Sequence, residues 1–152
     1  MKRIIFILLT LVMTTSIPNT AVFSTVEQEG NNIVVEFISN NMQMQGIIPT
    51  GQERAYVNCV LIAKILNCSV TILDKSSGII IESEKELVIF SRESNYVHII
   101  RGDHYLRMEA SNSFVMGEEL MIPVRALLEA LEYTVFWDGK TSTITVYETV
   151  FD

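Results

Sequence analysis

The chain has 152 residues, 49% hydrophobic and 19% charged, with 11 basic against 18 acidic side chains. That length holds one ordinary domain, or two very small ones sharing a core. A formal charge of −7 opposes nucleic-acid binding and charge-driven adhesion to anionic lipid, and seven Gly and three Pro exclude a fibrous or disordered chain.

The first segment reads as an address. Met1-Lys2-Arg3 supplies a positive start, and Ile4 to Met13 is apolar apart from Thr10. Polar residues and Pro18 follow, then Val22 and Ser24 stand three and one positions before a cut ahead of Thr25. This order predicts a secretory signal peptide over 1–24 and a mature domain over 25–152. The apolar run is about 10 residues, whereas a spanning helix needs roughly 20. The expected location is therefore secreted or extracytoplasmic, with membrane attachment only if the segment is retained.

Ile33 to Ile38 and Met42 to Ile48 then predict a hairpin. Next comes a short strand, a helix opening after Asn58 as its cap, and a return hairpin ending near residue 82. This helix is apolar nearly all round, with Lys64 its one charge, so cover on more than one side is expected. Cys59 and Cys68 are placed on it, on opposite sides and about 13 Å apart along the axis, so no bridge is expected unless the helix ends early. Strands follow at Leu87–Phe90, Tyr96–Ile100 and His104–Met108.

The segment from Leu120 to Leu131 repeats the pattern of Ala55 to Leu66, 65 positions on. Val70 aligns with Val135, Ile72 with Trp137, and Ile79 and Ile81 with Ile144 and Val146. Pro123 suits the start of the second helix, and Val124, Leu127, Leu128 and Leu131 form one apolar stripe. Arg125 and Glu129 have the spacing of an i, i+4 ion pair. Repeat one therefore covers about 31–82 and repeat two about 87–147. The expected class is α+β: mostly antiparallel sheet and two helices, with both strand-helix-hairpin units around one shared core.

The run from Gly117 to Leu131, followed by Val135-Phe136-Trp137-Asp138 and Thr143-Ile144-Thr145-Val146, resembles the copper amine oxidase N-terminal (stalk) domain family. The pattern is a glycine, a polar pair, an apolar triplet, Pro-Val-Arg, an amphipathic helix, Val-x-Trp-Asp and a β return. Glu132 departs from it where the family has glycine, as does Asn58, which replaces the helix-starting proline in the first repeat. The resemblance implies a non-catalytic module of exported bacterial proteins. Amine oxidation needs three histidine copper ligands and a modified tyrosine in an Asn-Tyr-acidic context. This chain has His98 and His104 alone, and Asn95-Tyr96 is followed by Val97.

Several residues invite chemistry. His98 and His104 are expected to face each other across a hairpin turning at Arg101-Gly102-Asp103, with no third ligand for a metal. That tripeptide is read as a tight turn, and Met42 and Met44 as core filling. Trp137 is expected in the core because its counterpart Ile72 is apolar, with Asp138 opening a turn. The acidic stretch 82–86 is expected to be solvated, and Asn67-Cys68-Ser69 is a glycosylation triplet without meaning in a bacterium. No catalytic, cofactor-binding or metal residue is assigned. The expected role is a stalk or interaction module of the cell envelope, with an envelope or extracellular protein as partner. Cell-wall glycan binding is the alternative, and a small secreted hydrolase using paired carboxylates is the competing class.

Overall fold

A computed structural model describes residues 29–74 and 78–149. The signal-peptide expectation falls on residues outside these. The chain runs β1 (Gly30–Phe37), β2 (Met42–Pro49), β3 (Tyr56–Asn58), α1 (Cys59–Ile65), β4 (Ser69–Asp74), β5 (Gly78–Glu82) and β6 (Glu86–Ser91). It continues with β7 (Tyr96–Arg101), β8 (His104–Glu109), β9 (Phe114–Met116), β10 (Glu119–Pro123), α2 (Val124–Ala130), β11 (Tyr133–Asp138) and β12 (Thr143–Glu148). The class is α+β, as expected.

Two sheets form. One has seven strands in the order β11-β12-β1-β2-β3-β10-β9, and the other is a meander, β4-β5-β6-β7-β8. Among the described strands, β1 with β12 is the parallel pair and every other pairing is antiparallel. Alternation along the strands sets the inner faces: Ile33, Val35 and Phe37 from β1, Ile79 and Ile81 from β5, and Val88 and Phe90 from β6 are all buried. These join Ile62 of α1 and Leu127 and Leu128 of α2 in one continuous core. The shared interior expected from sequence is what the fold contains.

The 65-residue spacing carries into geometry. α1 begins at Cys59 and α2 at Val124, and both have seven residues. Asn67 and Glu132 follow them at positive φ, 55° and 61°, the left-handed conformation that commonly ends a helix. Asn67 N–H donates to the Lys64 carbonyl and Cys68 N–H to the Ala63 carbonyl, closing the helix end. The repeat is consistent with this geometry. The hairpins then part: β4 and β5 enter the five-stranded sheet, β11 and β12 the seven-stranded one.

Several expectations are corrected here. Cys68 lies beyond α1, because Asn67 ends that helix, and both cysteines are free. α1 does pack on more than one strand, with Cys59, Ile62 and Ala63 turned inward, but its Val60 and Leu61 are about half exposed. Trp137 is 42% exposed and Ile72 is exposed as well. The core face of β11 runs out after Val135, so apolarity at both repeat positions marks a shared surface place rather than a shared interior one.

His98 and His104 do not face each other. Arg101 pairs with His104 around a two-residue turn at Gly102-Asp103, which sets His98 opposite Arg107. Gly102 takes φ +55°, as that tight turn requires. Finally, Glu86 is buried rather than solvated. It opens β6 opposite Arg101 of β7, whose guanidinium also reaches the Ala130 carbonyl at the end of α2, and sequence alone cannot show that meeting.

Candidate functional site

Two clefts, each of about 490 Å³, open where the sheets meet. The first lies along the outer side of α2. Met108 and Glu109 at the end of β8 form one wall, and Trp137 of β11 with Ile144 of β12 form the other. Pro123 and Val124 close it from below, and Glu53 and Arg54 of the loop before β3 stand at its mouth. Trp137 is the chain's only tryptophan. It projects here because Asp138 directs the turn beyond it: the carboxylate accepts from Lys140 N–H at 2.9 Å and from the Thr141 hydroxyl at 3.0 Å. Those bonds hold the Asp138 carboxyl below its ordinary pKa. Gly139 lies beside the indole: a Cβ there would come to 3.4 Å from Nε1, an ordinary contact.

The charges around this cleft are loosely held. Arg125 and Glu129 form the expected i, i+4 pair, but at 3.8 Å and with both side chains about half exposed. The turn at Asp138 takes no part in it. Such a pair is worth about 0.3–0.5 kcal/mol and yields readily to a better partner. Apolar lining, exposed indole and convergent polar groups are the usual makings of a small-ligand cleft.

The second cleft is acidic. It lies between the ends of α1 and α2 and is lined by residues 65 positions apart: Leu66 with Leu131, Asn67 with Glu132, and Cys68 with Tyr133. Glu84, Glu86 and Glu148 add carboxylates. Arg101 reaches in from β7. Its guanidinium contacts Glu86 Oε1 at 2.9 Å and Glu132 Oε1 at 2.6 Å, and it also donates to the Ala130 carbonyl at 3.4 Å. One cation therefore ties the five-stranded sheet to the end of α2. Burial pushes the Glu86 carboxyl up, against the pull of Arg101, and Glu132 adds to the rise. Burial likewise raises the thiols of Cys59 and Cys68 and the phenol of Tyr133, which makes each a poorer nucleophile at neutral pH.

Paired carboxylates do converge here, as a hydrolase would require. They converge on a guanidinium, so Glu86 Oε1 and Glu132 Oε1 are engaged in a structural tie. The sequence reading missed this network. Its signal was available in part, because Arg101 and Glu86 end paired strands in a simple meander.

The remaining candidates scatter. His98 contacts the Tyr105 hydroxyl on the outer face of the five-stranded sheet, and His104 is exposed at the turn. Tyr96, on that same face, lies under Arg107 with the guanidinium 4.1 Å from the ring centre. Met44 is buried and Met42 exposed. Arg101 is turned inward to Glu86, which splits the Arg101-Gly102-Asp103 tripeptide between ion pair and turn. Among the described residues no group of three His, Cys, Asp or Glu could hold a metal ion, and no helix is long and apolar enough to cross a membrane.

A family model described as the copper amine oxidase N-terminal domain matches residues 34–146, most of the chain. That domain is a non-catalytic part of the oxidases from which it takes its name. No curated protein and no solved structure matches the chain.

Proposed function

The chain belongs to the copper amine oxidase N-terminal domain family, and from that premise we propose that it is a non-catalytic recognition module. It works outside the cytoplasm, in a bacterial envelope or beyond it. Met1-Lys2-Arg3 and the apolar run from Ile4 support export. The observation that carries the recognition role is Trp137, an exposed aromatic at the wall of an open cleft. Burying an indole is worth enough that leaving one in water at a concave site favours a binding role.

The carboxylates best placed for chemistry, Glu86 and Glu132, share one arginine and serve the packing of the two sheets. That favours a scaffold over a hydrolase. The test is fractionation of expressing bacteria, followed by a pull-down with the exported protein from envelope fractions. Recovery of a shortened chain outside the cytoplasm, bound to an envelope component through the Trp137 face, is expected. An unshortened chain confined to the cytoplasm overturns the proposal.

A further inference from the structure

The Trp137 cleft has a chemistry that narrows its ligand, and this inference rests on the recognition role proposed above. Much of its lining is apolar, with Met108, Pro123 and Ile144 sharing the cleft with the indole. Its rim carries both signs of charge: Arg54 and Arg125 offer only donors, while Glu53, Glu109 and Glu129 offer only acceptors at neutral pH. Three glutamates disfavour an anion, and two arginines disfavour a cation. A neutral ligand rich in hydroxyls suits both, because each hydroxyl donates and accepts.

The shape asks for one more property. A flat aromatic face beside an apolar lining is covered best by a ligand with a flat apolar face of its own. An equatorially substituted pyranose ring has that form: C–H groups on its faces and hydroxyls around its edge. We propose that the cleft between α2, the end of β8 and Trp137 binds a glycan of β-linked pyranose units. One ring stacks on Trp137, and neighbouring hydroxyls bridge the free arginine and glutamate side chains. The weak Arg125–Glu129 pair is expected to open on binding, so that both groups turn to the sugar.

The lone tryptophan makes the test direct, since every change in indole emission reports on this cleft. The full exported protein is titrated with chitohexaose and, separately, with cellohexaose, following Trp137 emission and the heat of binding. A saturable change with at least one of them is expected. Trp137→Ala should weaken binding by about tenfold or more, and Trp137→Tyr should restore most of it. Arg54→Ala should weaken it several-fold while leaving the urea midpoint in place, because Arg54 is exposed on a loop. No saturable response to either oligosaccharide overturns the inference, as does binding that survives Trp137→Ala undiminished. Export is judged by fractionation alone, so an exported protein that ignores both sugars sinks the glycan and spares the envelope role.

Discussion

Val57 and Ile122 lie directly opposite one another in the antiparallel strands β3 and β10, and both are fully buried. They are also 65 positions apart, the spacing of the sequence echo, so their pairing is consistent with a repeat. β3 leads directly into α1 and β10 directly into α2, so both strands deliver a helix from this seam. This pair is where the two halves become one core.

Ile122→Ala should destabilise the protein by about 2–5 kcal/mol, and Ile122→Val by about 0.5–1.5 kcal/mol. Urea unfolding measures both. Because the residues share one environment, Val57→Ala combined with Ile122→Ala should depart from additivity by about 0.5 kcal/mol or more. Simple addition would indicate that the halves are stabilised separately.

Gly46 sits where β2 passes closest to β3. A Cβ there would lie 2.7 Å from the Tyr56 carbonyl oxygen and 3.0 Å from Val57 Cγ1. The obstacle is backbone, which yields little. Gly46→Ala should therefore cost roughly 1–3 kcal/mol by overpacking, despite alanine's better chain entropy. A thermal midpoint equal to that of the parent protein would contradict the close approach.

Asn58 caps α1, its side chain accepting from Val60 N–H at 2.9 Å and Leu61 N–H at 3.0 Å. Pro123 holds the same place before α2 and makes no such bond. Asn58→Ala should lose about 1 kcal/mol, with Asn58→Asp retaining most of it. Equal midpoints for the alanine and aspartate variants would show that the cap bonds add nothing.

The Arg101 tie predicts a pH dependence. Folding raises the Glu86 pKa above its ordinary 4.5, so the folded protein binds this proton more tightly than the unfolded chain. Glu86 therefore contributes stability that is full below 4.5 and is lost as pH rises through its folded value. The stability difference between parent and Glu86→Gln should fall across that window and level off above it. Arg101→Ala strands Glu86 without its cation and should cost about 3 kcal/mol at neutral pH, short of the full penalty because Arg101 is 34% exposed. A flat difference curve in urea unfolding from pH 4.5 to 7 would falsify this account.

Trp137 should behave as a surface chromophore even without ligand. Its emission should be quenched by acrylamide nearly as well as in the unfolded chain, as its 42% exposure requires. Strong protection from the quencher would restore the core position expected from the repeat.

Hydrophobic spacing alone revealed α+β, the hairpin of β1 and β2, the Asn58 cap, the apolar stripe of α2 and the 65-residue echo. These are local matters, set by side-chain period and by the backbone demands of caps and turns. The family resemblance was readable for the same reason, since it lies in one continuous stretch, 117–147. Where side chains end up was decided elsewhere. Trp137 and Ile72 occupy equivalent apolar positions, yet both face water because the inner surface of each hairpin ends before reaching them. Glu86 looked like part of a solvated acidic turn, yet the tertiary structure buries it against Arg101, which also reaches the end of α2. Burial depends on which distant surface arrives to exclude water, and no periodicity within a segment encodes the position of another. So the interior could be read from one dimension, whereas both clefts exist only where the two sheets meet.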